Sequence, residues 1–351
     1  MKVPLHLNVP HPPTRRGLSW FAVALACLAS LLWLQDFGTE GYGGRTIRIV
    51  VGFSPGGGND LFSRIVARHI GRHLPGTPTV IVENMPGGGG LIAATYLSER
   101  AKPDGLTFGL AGASILAGIE ARSETRFDPR ALEFIGSSAP ELPVCVFSKA
   151  SGITSLERWA TSKTPPRLGM TGPNSYTSLY TLTLAWALRL PIQPVLGYPG
   201  AAQIRQAMES NEVDGTCASW DGVKTSWVPL ERFAIVLQLG HTPHPELQGI
   251  PLAVDQATTE QGRALIEGPV TQLVAVMRSY AFPPGTPQQH VRAMRQAFMA
   301  TIGDRLFIAD VGKASLNIEP LSGEEVARQV NALFATSPQL LDSLHQALKT
   351  P

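Results

Sequence analysis

The chain has 351 residues, 44% of them hydrophobic, enough to bury one large core or two moderate ones. Its 29 basic and 27 acidic residues leave a formal charge of +2, which implies neither a nucleic acid nor an acidic membrane surface as partner. The 35 glycines and 29 prolines are spread through turns, without repeats or low-complexity blocks, so a globular body is expected after the first forty-odd residues.

Those first residues read as an address. A polar, Pro-rich lead ends in Thr14-Arg15-Arg16, and an apolar run follows from Leu18 to Leu34. Basic residues followed by an apolar core make an export signal. The run of about 17 residues is long for a signal core and near the lower limit of a membrane span. No A-x-A site comes just after it, and cleavage near Ala29 would expose Leu31, Leu32, Trp33 and Leu34. A removed leader and an uncleaved anchor both stay open for residues 1–44. Either way the body is expected in the periplasm, free or tethered to the inner membrane. Cys27, with Ala24 rather than Leu three residues before it, reads as a membrane-embedded cysteine rather than a lipidation site.

The stretch IRIVVGFSPGGGND, residues 47–60, comes next. Ile47, Ile49, Val50 and Val51 predict a buried strand over 46–53. It breaks at Ser54-Pro55-Gly56-Gly57-Gly58, and an amphipathic helix follows over 59–73 with Phe62, Ile65, Val66 and Ile70 on one face. Glycines between a strand end and a helix start let backbone N–H groups converge where the helix dipole favours negative charge. The loop is therefore an anion seat. It is not a P-loop, because Asn59-Asp60 stands where a Lys and a Ser or Thr would reach the phosphates. A dinucleotide fingerprint would use Glu83 after the next apolar run, but its third glycine falls on Leu61. Gly52-Phe53-Ser54-Pro55-Gly56 spells the nucleophile elbow of an α/β-hydrolase, yet the residue that should donate an N–H to the oxyanion hole is Pro55, which has none.

Further along, a strand over 79–83 leads through Pro86 and Gly87-Gly88-Gly89-Gly90 to a helix over 91–100. Residues 107–111, 135–137, 144–147 and 167–170 read as short strands. The last ends at Thr171-Gly172-Pro173-Asn174-Ser175, before a long helix over 176–188. A strand over 193–196 precedes Gly197-Tyr198-Pro199-Gly200 and a helix over 201–210. The alternation predicts α/β layers with mostly parallel sheets, whose ligands bind beyond the carboxyl ends of strands. Cys145 and Cys217 lie in apolar runs, where two buried thiols are favoured over a disulfide. No C-x-x-C or His–Cys grouping offers a metal site, and His241 and His244 read as solvated residues of a Pro-rich loop. Asp60 and Glu83 have no evident partner to make an acid–base pair, so no enzyme, catalytic residue or cofactor is expected.

Three segments in order, GFSPGGGND, VIVENMPGGGG (80–90) and KPDGLTFGL (102–110), resemble the substrate-binding receptors of tripartite tricarboxylate transporters, the Bug-type receptors. The likeness continues more loosely through 197–215 and 282–298 and covers roughly the chain from Arg45 on. It implies a two-lobed, type II-like periplasmic binding-protein fold. Lobe one is expected over 45–147 and 240–351, lobe two over 148–239, with a ligand cleft between them. The resemblance implies an extracytoplasmic receptor, a monomer, that captures a small carboxylate and hands it to membrane transporter subunits. A sensory receptor for a membrane signalling partner is the alternative, and a hydrolase built on Ser54 the remote one. From lobe one, the N–H groups of Gly56, Gly57 and Gly58 are expected to take a carboxylate, joined by Phe53, Ser54, Asp60 and Ser114. For Asp60, helix capping competes with ligand contact. From lobe two, Thr171, Asn174 and Ser175 match a family G-x-G-S segment, with Asn174 in place of its second glycine and Ser178 where histidine often follows. Tyr198 and Gly200 match a family Y-x-G turn. The family aspartate is lost at Ala218 unless Asp221 replaces it, and Trp220 beside it could stack on a ligand or sit in the core.

Overall fold

The computed structural model describes residues 41–121, 128–173, 175–227, 229–240 and 242–349. The leader or anchor through residue 40, Cys27, Asn174 and His241 lie outside the described residues. No helix among the described residues is long and apolar enough to cross a membrane.

Among the described residues, eleven strands form two sheets. β1 (Thr46–Val51), β2 (Thr79–Asn84), β3 (Thr107–Leu110), β4 (Glu133–Ser137), β10 (Ser279–Phe282) and β11 (Leu321–Ser322) make the first, in the order β11-β4-β10-β3-β1-β2. β5 (Pro143–Ser148), β6 (Arg167–Gly169), β7 (Gln193–Val195), β8 (Gly215–Ser219) and β9 (Phe233–Gln238) make the second, in the order β7-β6-β8-β5-β9. Each sheet has three parallel neighbours, β2-β1-β3 or β7-β6-β8. An antiparallel strand, β10 or β5, then separates them from the rest. The sheets are thus mixed rather than mostly parallel. The expectation failed because β10 comes from far down the chain and β5 from before its parallel neighbours, and neither insertion shows in local periodicity. The chain passes between sheets at 138–142, just ahead of β5, and returns through a helical stretch that ends at Val276.

Alternation along strands sorts the side chains. In β5, Val144 and Val146 join an apolar cluster with Ile204, Met208 and Trp220, while Cys145 and Phe147 face a larger cluster with Trp159, Leu179 and Leu237. Cys145 and Cys217 are directly opposed across β5 and β8 and form a disulfide. This corrects the expectation of two buried thiols: antiparallel register places the two Cβ atoms within bonding reach. Trp220 is 6% exposed in its cluster, which answers the choice between stacking and core.

Seven of the helices that follow strands of the two sheets, directly or after a short connection, are α1 (Gly58–Ile70), α2 (Leu91–Thr95), α3 (Gly112–Ala121), α4 (Leu156–Ala160), α5 (Tyr176–Leu188), α6 (Ala201–Glu209) and α7 (Trp220–Ser226). α2 runs on as a π-turn over Tyr96–Arg100, so the expected 91–100 helix is two pieces. α1 buries Phe62, Ile65, Val66 and Ile70, the face its periodicity predicts.

Candidate functional site

The loop after β1 is ordered by its own aspartate. Asp60, in the first turn of α1, is 3% exposed. Its Oδ2 accepts from Gly56 N–H at 3.0 Å and Arg64 Nε at 2.9 Å, and its Oδ1 accepts from Asn84 Nδ2 at 2.8 Å. The same Asn84 amide donates to the Phe53 carbonyl at 2.9 Å. Burial alone would raise the Asp60 carboxyl, but bonds from Arg64, Gly56 and Asn84 outweigh it and hold the group below the ordinary range. Asp60 is therefore occupied as the loop's organiser. With Gly56 N–H already given to Asp60, the open donors are those of Gly57, at the N-cap, and of the first turn, Gly58 and Asn59, which have no intrahelical acceptor.

Three helices of nine residues or more bring their first turns to one small cavity of about 10 Å³: α1 through Gly58 and Asn59, α5 through Tyr176, and α6 through Ala201. Each positive dipole end favours an anion there. A second cavity of about 20 Å³ adjoins it, sharing Asn59, Glu141 and Tyr176 and adding Phe53. Both are water-sized. Asn59 Oδ1 is buried without a hydrogen-bond partner among the described residues. Phe53 packs edge-on to Tyr176 at 5.1 Å between centroids. Burial and the nearby Glu141 charge keep the Tyr176 hydroxyl protonated far above its ordinary range.

Outside these lies a cleft of about 550 Å³, walled by Phe53, residues 86–90, residues 171–173 and residues 196–199. Its walls meet at Gly89, whose φ is +67° and where an added Cβ would lie 2.7 Å from Ser175 Cβ. The second wall is a hydroxyl network. Ser175 caps α5 by accepting from Ser178 N–H at 3.2 Å and donates to the Gly172 carbonyl at 2.8 Å. Thr171 N–H donates to Thr177 Oγ1 at 3.0 Å, and the two threonine hydroxyls bond at 3.1 Å.

A buried ion cluster links the walls. Arg278, immediately before β10 and 2% exposed, donates to Glu141 at 2.9 and 3.1 Å, to Asp221 Oδ2 at 2.7 Å and to Ser219 Oγ at 2.7 Å. Burial works against its charge, but the Glu141 and Asp221 carboxylates more than offset it and hold the guanidinium above its ordinary value.

The sequence-derived residues divide accordingly. Phe53, Gly57, Gly58, Thr171 and Tyr198 each line the cleft or a cavity. Gly200 is the N-cap of α6, facing Ser54 across 3.6 Å from an added Cβ. Ser54 Oγ has only the Pro199 carbonyl at 3.5 Å, with no histidine or carboxylate bonded to it among the described residues, which leaves the hydrolase elbow without a base. Gly56 and Asp60 bond each other, Ser175 is taken up by the hydroxyl network, and Asp221 is held by Arg278 behind the cavity wall. Ser114 is fully buried in α3, with its hydroxyl unpartnered among the described residues, while its neighbour Ala113 lines the cavity. Tyr198 donates to Glu212 at 2.6 Å, and burial with this carboxylate pushes its hydroxyl up to about 12. His244 Nδ1 accepts from Glu246 N–H at 3.2 Å and caps a short turn. No group of metal-ligating side chains occurs among the described residues.

Asn59, Tyr176, Glu141 and Arg278 were not singled out in the sequence. Arg278 carried a signal all the same, as a lone cation in the apolar run LVAVMRSYAF, 273–282. A charge there demands buried partners.

The fold is that of the two-lobed periplasmic binding proteins, with a cleft between the lobes. Within that class the chain resembles the Bug-type receptors. The periplasmic binding protein BugD superposes with a TM-score of 0.70 at 20% identity, over 87% of this chain and 98% of that one. MatC of Rhodopseudomonas palustris, with bound malate, gives 0.69 at 17% identity, over 87% and 99%. A second R. palustris protein, with adipate, gives 0.69 at 20% identity, over 86% and 97%. In sequence, the UPF0065 protein in the gbd 5′ region of Cupriavidus necator is 27% identical over 207 residues, 58% of this chain and 61% of that protein. The match thus spans about three fifths of that curated relative's length. No family model matches the chain.

Proposed function

We propose that the protein is an extracytoplasmic solute receptor that captures a small carboxylate in the cleft between its sheets and delivers it to a membrane transporter. The observation that carries this reading is the convergence of the α1, α5 and α6 first turns, with free N–H groups at Gly57 to Asn59, on one buried cavity. Such an arrangement favours an anion without any cationic side chain. Malate and adipate bound to proteins of the same fold support the carboxylate class. Lobe one is built on the first sheet and lobe two on the second, and hinge motion at 138–142 and around 239–240 opens and closes the cleft. The address-like segment before residue 45 supports a periplasmic location, free or tethered. Binding without turnover is the activity this reading expects; among the described residues Ser54 has no bonded histidine or carboxylate to serve as its base.

Thermal unfolding against mono-, di- and tricarboxylates, amino acids and matched uncharged amides tests this. A ligand at a hundred times its Kd that binds only the native state adds about 2.7 kcal/mol and raises the midpoint. Stabilisation by one or more acids and by none of their amides is the expected result. Equal stabilisation by amides, or none by any acid with folded protein, contradicts it.

A further inference from the structure

Resting on the carboxylate reading, we infer a narrower ligand class: an acid with one carboxylate and an apolar body, in preference to a dicarboxylate. Three observations point the same way. The donor-rich end of the site is a single place, where α1, α5 and α6 begin. Among the described residues, the only cation lining the cleft or its two inner cavities is Arg278, and it is already spent. Its one positive charge meets the two carboxylates of Glu141 and Asp221 at 2.7 to 3.1 Å. Lys224 does not restore the balance, because it lies 3.6 Å from Asp221 Oδ1 but 2.9 Å from Glu246. Two cations thus face three anions in this cluster, which leaves one negative charge over.

The remaining space is the third observation. The outer cleft of about 550 Å³ has no charged side chain in its walls among the described residues, and Phe53, Pro86, Leu196, Tyr198 and Pro199 give it apolar surface. A first carboxylate at the helix ends leaves the rest of the ligand against these groups. A second carboxylate placed there would meet no cation among the described residues to repay its lost water. A hydrocarbon or aromatic body loses nothing in the same place and gains burial. The chain would thereby differ in selectivity from the malate- and adipate-bound proteins that share its fold.

Calorimetric titration of the full chain with pairs that differ by one carboxylate reads this directly: hexanoate against adipate, and benzoate against terephthalate. The monoacid is expected to bind at least roughly tenfold more tightly in one or both pairs. Leu196→Arg, at a half-exposed position on the cleft wall, should narrow or reverse that ratio by offering the second carboxylate a cation. Equal or tighter binding of the diacid by the unaltered protein would overturn the inference and leave the receptor reading standing. Failure of every acid in both pairs and in the wider panel, with protein shown to be folded, would overturn both.

Discussion

The two walls of the cleft use opposite chemistry. The first, after β1, is nearly all backbone: Gly57 and Gly58, at the inner cavity, present donors that no described residue accepts, and Asp60 spends its whole carboxylate keeping the loop in shape. The second, after β6, is rich in hydroxyls, and they bond one another: Thr171 to Thr177, Ser175 to Gly172, Thr177 and Ser178. A wall that looks polar in sequence is thus chemically closed, while a wall of glycines is open. Donor capacity left over after internal bonding, not polarity of composition, decides which side can hold an anion.

The comparison can be broken most severely at the element that ties the walls together. Arg278→Leu should leave Glu141 buried without its cation and Asp221 with only Lys224 at 3.6 Å, and lower stability by about 3–5 kcal/mol in urea unfolding. Next is the disulfide, which braces the second sheet and has no counterpart in the first. Cys145→Ser with Cys217→Ser, which removes a link across 72 residues, should cost about 2–4 kcal/mol in the same measurement. Asp60→Asn should loosen the open wall. Because the Asp60 carboxyl sits below its unfolded value of about 3.9, its contribution is complete above that pH and is lost as pH falls through the lower folded value. The wild-type protein should therefore lose stability below about pH 4, with a shallower slope in Asp60→Asn, besides a loss of about 1–3 kcal/mol at neutral pH. Ser175→Ala should remove the hub of the closed wall and cost about 1–2 kcal/mol, mostly through the lost α5 cap, with little change in anion selectivity. The smallest effect on stability is expected from Gly89→Ala. At φ +67° and against Ser175, it should cost about 1 kcal/mol and weaken ligand binding by holding the walls apart.

Much of the first wall was legible before any coordinates. The strand–glycine–helix switch at 47–60 marked the loop proposed as the anion seat, and β-branched runs placed β1, β2 and β3 to within a residue or two. Helix α5 is found over the very residues its apolar run indicated. What periodicity could not supply was long-range pairing. Nothing local to Ser279–Phe282 says that it enters between β3 and β4, and nothing near Cys145 says that Cys217 lies opposite. The division of labour among site residues escaped for the same reason. Asp60 and Asp221 read as free carboxylates until Arg64, Asn84 and Arg278 are seen around them, and Arg278 is 57 residues from Asp221 in the chain.

In the proposed receptor, the N–H groups at Gly57 and Gly58, and not that of Gly56, hold the ligand's carboxylate. Titrating ¹⁵N-glycine-labelled protein with a carboxylate that stabilises it, and following the assigned glycine amides by NMR, tests this at single-atom resolution. Downfield movement of the Gly57 and Gly58 amide protons is expected, while Gly56, bonded to Asp60, stays near its starting position. Saturable binding with Gly57 and Gly58 unmoved would contradict it.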